Sequence, residues 1–245
     1  MAYTMNNSTN LADERDVVGK KKFTLDSNIY DFIIKVAYIS ESNSGALAMN
    51  LVLDDGQGNQ MKETVYFTTN TANGNRNYYI DKNDKSEQPL PGYSIANAVC
   101  VFGAKMKLDT ALTKLQKKSV KIWNKEAKGE VPTEVDVITA LTGQRVACAV
   151  QEIIEDAQSK NTTTGKYEAN GKTRTKNEIK KVMRSDDRFT MAEARAKAEE
   201  STFAPSWLDA NKGETWDVST GKKASGGSAG ASTDASDAED DDLFD

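Results

Sequence analysis

The fold of this chain is decided by a stretch of alternating apolar residues, IYDFIIKVAYIS at positions 29–40. The apolar side chains recur at every second position, at Tyr30, Phe32, Ile34, Val36 and Tyr38. This period of two, in a stretch rich in β-branched and aromatic residues, predicts a β-strand. Residues 45–54 and 60–69 repeat the alternation after turns rich in Gly, Asn, Asp and Ser. Three consecutive antiparallel strands are therefore predicted, with one polar, lysine-bearing face.

The rest of the chain is predicted to add helices and further strands. Helices are predicted at residues 91–103, 108–115, 133–141 and 190–200, and strands at residues 119–125, 145–154 and 175–183. Gly103 is interpreted as the stop of the first helix. Thr133 is the candidate N-cap of the third, with Asp136 three residues on. Residues 157–174 are interpreted as a polar, basic connection, and residues 203–216 are poorly patterned.

A helix after three strands is the element order of a five-stranded Greek-key barrel, in which the helix plugs one open end. We therefore expect a mainly β fold with added helices, and an α-β-α insertion at about residues 104–143. The outer face of the second and third strands would form a groove with neighbouring loops. The expected divisions are a flexible N-terminal arm (1–22), a barrel domain (23–185), a helical or irregular extension (186–221), and a disordered linker with an acidic tail (222–245).

The formal net charge of -5 is unevenly distributed along the sequence. Residues 224–245 contain seven acidic and no basic residues, whereas residues 1–223 contain 30 acidic and 32 basic ones. Within that body, residues 105–128 carry a net charge of +6 and residues 160–188 a net charge of +5. Such basic clusters attract polyanions even when the whole chain is acidic.

Composition excludes several classes of function. Histidine is absent, and Cys100 and Cys148 are the only cysteines. This composition rules out a zinc site with Cys and His ligands and argues against a disulfide-stabilised fold. We expect no metal or other cofactor and no catalytic residues, because the chain lacks a Gly-Lys-Ser/Thr phosphate loop and a Gly-x-Ser-x-Gly nucleophile elbow. No apolar run approaches the roughly 18 residues that a membrane span needs. A soluble, cytoplasmic protein without membrane contacts is the expectation.

The sequence resembles the single-stranded DNA-binding proteins of bacteriophages, which have a body of the oligonucleotide/oligosaccharide-binding (OB) type. The resemblance covers roughly residues 23–185, including LPGY at 90–93 and LTGQRV at 141–146, and the terminal sequence DAEDDDLFD at 237–245. It implies binding and protection of single-stranded DNA during phage DNA replication, recombination and repair. It also implies that the acidic tail recruits partner proteins, through Asp240, Asp241, Asp242, Leu243 and Phe244.

The side chains that single-stranded DNA binding requires are also present. Aromatic rings stack on unpaired bases, and Lys or Arg neutralises phosphates. The stacking candidates are Tyr66, Tyr78, Tyr79 and Trp123. The phosphate-binding candidates are Lys35, Lys62, Arg76, Lys121, Lys125, Arg145, Arg174 and Lys176. A mobile acidic tail is expected to compete with DNA for this basic surface.

Two other functions are kept as alternatives. Asp156 followed by Glu178 and Lys180 imitates the carboxylate-carboxylate-lysine arrangement of a metal-dependent nuclease, although Glu126 and Lys128 match the same spacing. The second alternative is a protein that acts on transcription or replication machinery mainly through its tail. The sequence leaves open the oligomeric state, with a homo-oligomer among the options, and the choice between DNA and RNA.

Overall fold

The computed structural model of the chain describes residues 24–220, except residues 125, 163, 164 and 166. The predicted arm (1–22) and tail (222–245) therefore lie outside the described residues, as does Lys125. The strands are β1 (Asn28–Glu41), β2 (Leu47–Asp54), β3 (Gln60–Tyr66), β4 (Tyr78–Ile80), β5 (Glu87–Pro89), β6 (Gln116–Asn124), β7 (Gly129–Val137), β8 (Arg145–Lys160), β9 (Tyr167–Met183) and β10 (Thr215–Asp217). The helices are α1 (Pro91–Ala104), α2 (Leu108–Leu112), α3 (Met191–Ala196) and α4 (Phe203–Asn211).

The three predicted strands at the start of the body are confirmed. β1 pairs with β2 and β2 with β3, both antiparallel. Their alternate apolar side chains form the centre of the core: Phe32, Ile34, Met49, Leu51, Leu53, Met61 and Val65 are buried. The ladder between β1 and β2 shifts register between Ile34 and Val36. This bulge changes which side chains point inward, so that Ala37 is buried while Tyr38 is only half-buried.

β1 organises a sheet of eight strands, and the prediction of a mainly β fold is confirmed. The strand order is β10-β8-β1-β2-β3; in addition, β9 pairs with β8, and β7 pairs with both β1 and β6. The ladders are antiparallel except that between β10 and β8. The sheet is not closed, because no ladder joins β3 to β9 in the part of the chain that the structure describes. We call this gap the seam.

α1 packs against the sheet and helps to fill the core beside the seam. Ala96, Val99 and Cys100 are fully buried in the same core cluster as Cys148 of β8. Gly103 is not the stop that the sequence predicted, because the helix continues to Ala104. Gly103 instead lies at a tightly packed position: a Cβ there would lie 2.9 Å from a methyl group of Leu141, which would have to shift.

The predicted helix at residues 133–141 is wrong. Residues up to Val137 form β7, which pairs with β6 from Gln116 opposite Val137 to Asn124 opposite Gly129, and only a short 3-10 turn, Thr139–Leu141, follows. Val131, Thr133 and Val135 are half-buried and Pro132 and Glu134 exposed, which is the period-two burial of a strand. The predicted helix at residues 108–115 and strand at 119–125 are present as α2 and β6, so the inserted segment is a helix followed by a β-hairpin instead of α-β-α.

Residues 157–174 are not the connection that the sequence predicted. β8 and β9 continue as a long hairpin beyond the body, with Gln158 opposite Ala169 and Lys160 opposite Tyr167. Tyr167 to Thr175 of β9 are all exposed. Because neither face of this outer part of the β8–β9 hairpin is buried, its sequence has no apolar alternation from which a strand could be recognised.

The residues after β9 fold back onto the sheet. α4 packs on the face of β1 and β8 opposite the main core, where Phe203 and Trp207 cover Ala147, Ala149 and Met183. β10 then adds to the edge of β8. The sequence indicated neither α4 nor β10, because their apolar residues are few and irregularly spaced. No helix in the described ranges is long and apolar enough to cross a membrane.

A single carboxylate joins the start of α3 to the start of α4. Glu193 completes the capping box that the sequence predicted with Thr190, and it also accepts hydrogen bonds from the backbone N–H groups of Thr202 and Phe203, both at 2.8 Å. Partial burial opposes ionisation, but the backbone donors prevail and lower the pKa of Glu193 to about 2. The ionised carboxylate is therefore the form that holds the two helices.

Replacing Glu193 with glutamine is expected to lower the free energy of unfolding at pH 7 by about 1–2 kcal/mol. Because the folded pKa lies below the usual value of a glutamate, this contribution is present above about pH 4.5 and is lost as the pH falls towards 2. Urea unfolding at several pH values should therefore show the two proteins converging in acid. Glu199→Gln, at an exposed position of the following turn, is the control. Equal stability of Glu193→Gln and the parent at pH 7 would contradict this account.

Candidate nucleic-acid interface

A cleft lies between the β6–β7 hairpin and the outer face of β2 and β3. Its volume is about 210 Å3, and its lining includes Tyr38, Lys62, Lys121 and Trp123. The Trp123 side chain is 62% exposed, which is unusual for a residue of this size and hydrophobicity. We call this the β2–β3 cleft.

The strands place these side chains by simple alternation. On β3, Met61 and Val65 are buried, so that Lys62, Thr64 and Tyr66 between and beside them are exposed. β6 follows the same rule, with Val120 and Ile122 half-buried and Lys121 and Trp123 exposed. Two strands that are not paired with each other, β3 and β6, therefore present rings and cations along one cleft.

The charges of the cleft are only partly compensated. Lys62 Nζ lies 3.0 Å from Glu130 Oε1, an exposed ion pair that connects β3 to β7. Such pairs contribute about 0–1 kcal/mol and exchange readily for another anion. Lys121 has no carboxylate within ion-pair distance among the residues that the structure describes. Partial burial raises the pKa of Tyr38, although Lys62 lowers it, so the phenol stays neutral at physiological pH.

A second cleft opens at the seam and borders the first. Its volume is about 360 Å3, and it is lined by Tyr66 of β3, Lys176 and Glu178 of β9 and the start of α1. Both clefts share Glu63 and Thr64. Tyr66 is 38% exposed. We call the line from Trp123 across β3 to Tyr66 and Lys176, through these two adjoining clefts, the path.

Glu63 stands where the two clefts meet. Burial, together with the nearby Glu178, raises the pKa of Glu63 to about 7, although Lys176 and Lys180 act in the opposite direction. Lys180 Nζ is itself 2.8 Å from Glu178 Oε1. Near neutral pH the Glu63 carboxyl is thus about half protonated, which reduces the negative charge facing this path.

Replacing Glu63 with glutamine is expected to raise the free energy of unfolding by about 1–2 kcal/mol at pH 8 and to change it little at pH 5. The folded pKa of about 7 lies above the usual value, so the ionised carboxylate destabilises the fold as the pH rises from about 4.5 to 7. Thermal unfolding at both pH values would measure this difference. Glu134→Gln on the exposed face of β7 is the control. A variant less stable than the parent at pH 8 would contradict the assignment.

The remaining aromatic candidates lie beyond β3. Arg76, Tyr78 and Tyr79 line a hollow of about 190 Å3 beside the β4–β5 hairpin. The guanidinium of Arg76 lies 5.8 Å from the centre of the Tyr78 ring, and its Nε donates to the Asn73 carbonyl at 2.7 Å. Tyr79 is 43% exposed. These residues form a separate ring-and-cation group next to the path.

The other basic candidates form ion pairs with carboxylates or lie outside both clefts. Arg174 and Lys176 both bind Glu155, at 2.5 and 2.8 Å. Partial burial raises the pKa of Glu155, but hydrogen bonds from both cations outweigh it and the net shift is downward. Lys35 lies 3.6 Å from Asp54. Arg145 is exposed at the start of β8, and neither it nor Lys35 lines either cleft.

Sequence reasoning missed most of the cleft lining, including the polar residues Tyr38, Asn50 and Thr64. Asn50 Nδ2 donates to Ser40 Oγ at 2.7 Å, and Thr64 Oγ1 donates to Asn50 Oδ1 at 2.9 Å, so that the floor is a polar network. The alternating pattern groups Tyr38 with Phe32 and Ile34, but the bulge in β1 breaks that alternation. Asn50 and Thr64 could have been found as the polar members of two alternating strands.

The carboxylates of the nuclease alternative are not brought together. Glu178 pairs with Gln151, whereas Asp156 lies five residues further along β8, a separation of roughly 16 Å. Asp156 accepts hydrogen bonds from the backbone N–H and hydroxyl of Thr220. Within the described residues there is no group of three or more carboxylate or thiol side chains that could hold a metal ion.

Comparison with known proteins gives no relative. No family description matches the chain, and neither a curated protein nor a solved structure matches it.

Proposed function

We propose that this protein binds single-stranded DNA along the path from the β2–β3 cleft to the seam, without strong sequence preference. On this proposal the body is a partly open barrel of the OB type. It would cover and protect unpaired strands during phage DNA replication, recombination and repair, while Asp240 to Phe244 of the acidic tail recruit partner proteins.

The observation that carries the proposal is the exposure of Trp123 beside two cations. A tryptophan that is 62% exposed leaves apolar surface in water that packing would otherwise remove. Lys121 lies two residues before Trp123 on β6, and Lys62 lies across the cleft on β3. Both lysines line the same cleft as Trp123. A ring flanked by cations matches what an unpaired nucleotide presents, namely a flat base and a phosphate.

The shape of the path favours unpaired strands of any sequence. Stacking uses the π-face that every base has, so it does not discriminate strongly among bases. In a duplex those faces are covered by the neighbouring base pairs, and Trp123 and Tyr66 could not reach them. The same stacking is indifferent to the 2′-hydroxyl, so single-stranded RNA is the relevant competitor.

The direct test is titration of the full-length protein with oligo-dT while tryptophan fluorescence is recorded. We expect quenching that is lost in Trp123→Phe, since Trp207 of α4 packs against the sheet and Trp216 lies on β10. Raising the salt concentration should weaken binding with a log-log slope of about -0.7 per phosphate neutralised. Duplex DNA of equal length should quench weakly. Equal quenching by duplex, or a flat salt response, would contradict the proposal.

A further inference from the structure

A third groove lies on the molecule between α1 and α3, away from the β2–β3 cleft. Its volume is about 580 Å3, and its apolar lining comes from Val101, Phe102 and Met106 at the end of α1 and from Met191 and Ala194 of α3. We call it the α1–α3 groove. The proposed DNA path uses neither this floor nor its rim.

The two walls of the groove are fixed by local structure. α1 ends at Lys105, which adopts a left-handed conformation with φ 54° and lets the chain turn back over the helix end. Asn97 then accepts a hydrogen bond from the Leu108 N–H at 3.0 Å, which holds the turn. On the other side the capping box of α3 fixes the position of Met191. The groove is therefore formed before any ligand binds.

The rim of the groove is cationic. Lys105, Lys107 and Arg195 contribute to its lining and are exposed. None of the three forms an ion pair with another described residue. The fourth cation, Arg184, is already held by Asp187. An apolar floor bordered by three uncompensated cations fits a peptide that carries apolar side chains next to several carboxylates.

We propose that the α1–α3 groove binds the acidic tail of the same chain, with Leu243 and Phe244 on the apolar floor and Asp240, Asp241 and Asp242 at the cationic rim. This differs from the expectation that the tail occupies the DNA path. The docking itself does not depend on the proposed DNA binding, because it requires no nucleic acid; its effect on recruitment rests on the proposed partner binding by the tail.

Charge complementarity distinguishes the tail from the other segment outside the described residues. Residues 1–22 contain four basic and three acidic side chains, among them Lys20, Lys21 and Lys22, and would gain little from a cationic rim. Residues 224–245 contain seven acidic side chains and no basic one, and Leu243 and Phe244 are their only large apolar residues. The tail alone therefore combines both features that the groove would recognise.

The length of the connection permits this docking. Residue 243 follows Thr220 by 23 residues, many of them Gly, Ser and Ala. A flexible chain of that composition has a root-mean-square span of about 26 Å. The radius of gyration of a folded body of about 200 residues is about 16 Å. The connection is thus long enough for the tail to fold back along the body, at an effective concentration on the order of millimolar.

Docking of this kind would regulate recruitment. A partner that binds Leu243 and Phe244 must first compete with an intramolecular site, which lowers its apparent affinity. Weakening the rim should therefore strengthen partner binding without any change in the tail itself.

The test replaces Phe244 with the photo-cross-linker p-benzoylphenylalanine in the full-length protein, irradiates it without DNA, and maps the products by mass spectrometry. Benzophenone inserts preferentially at methionine, so Met106 and Met191 on the groove floor are the expected sites. Cross-links to Trp123 or Tyr66 would overturn the proposal, as would the absence of any product within the chain. A groove cross-link formed only between two chains, with a yield that rises with protein concentration, would also overturn it.

A charge-reversal variant tests the rim. Lys105→Glu combined with Arg195→Glu is expected to reduce the cross-link yield at Met106 and Met191 at least fivefold. Lys82→Glu combined with Lys172→Glu, two exposed positions outside the groove and the DNA path, makes the same change of net charge and should leave that yield unchanged. Circular dichroism melting confirms that each variant is folded. Equal yields from the two double variants would overturn the proposal, whatever the outcome of the DNA titration.

Discussion

Replacing Trp123 with alanine should weaken the binding of oligo-dT by roughly 5- to 150-fold, because stacking of one base on an aromatic side chain contributes about 1–3 kcal/mol. The folded state should lose little stability, since the side chain is 62% exposed and has little packing to lose. The ratio between lost affinity and lost stability is what identifies a binding residue. Fluorescence anisotropy of labelled oligo-dT at fixed salt would measure the affinity, and thermal melting the stability.

The matched control is Trp216→Ala. Trp216 is a tryptophan of comparable exposure, 45%, on β10, where its ring lies 5.3 Å from Lys180 Nζ. It is thus also an exposed ring beside a cation, but it lies outside the proposed path. Unchanged affinity of Trp123→Ala, or an equal loss in both variants, would remove the main support for the proposed interface.

Replacing Gly92 with alanine should lower the free energy of unfolding by about 2–3 kcal/mol and the melting temperature by roughly 5–10 °C. A Cβ at this position would lie 1.8 Å from the backbone oxygen of Tyr66. No side-chain rotation can relieve this overlap, so α1 must move away from β3. In a helix free of that contact, alanine would be the more stabilising residue, which makes the direction of the effect informative.

Gly129→Ala is the control for that variant. The nearest atom to a Cβ at Gly129 would be the Ala127 oxygen, 3.7 Å away, which is an ordinary contact. Its stability should differ from the parent by no more than about 0.5 kcal/mol. If Gly92→Ala were as stable as the parent in urea unfolding, the close approach of α1 to β3 would be incorrect. Because Tyr66 borders the seam, loss of that approach should also reduce DNA affinity.

The parts of the fold that the sequence predicted correctly are those where local pattern and burial agree. β1, β2 and β3 have one buried and one exposed face, so their side chains alternate in polarity. α1 has an apolar face that the core covers. The helix predicted at residues 133–141 failed because Val135, Ile138 and Leu141 have helical spacing while Val131, Thr133 and Val135 have strand spacing. Pairing with β6, which is a tertiary contact, decided between the two.

The candidate interface was predictable in its chemistry and less so in its geometry. Trp123 and Lys121 were identified from their spacing, and the structure places them with Lys62 in one cleft. The neutralisation of Arg174 and Lys176 by Glu155 was not foreseeable, because it depends on the register of two strands about twenty residues apart. The outer part of the β8–β9 hairpin was also missed, because a hairpin with no buried face has no alternation of apolar and polar residues.

Because both cysteines are buried, the rate at which they react with thiol reagents reports how often the folded body opens. Burial raises the pKa of Cys100 to about 12 and raises that of Cys148 further still, so neither thiolate forms at physiological pH while the body is intact. Thiol reagents attack the thiolate and would therefore reach sulfur only after the β-sheet and α1 separate. The rate of alkylation in native buffer should follow the frequency of that separation, and any added ligand that holds the sheet together should slow it.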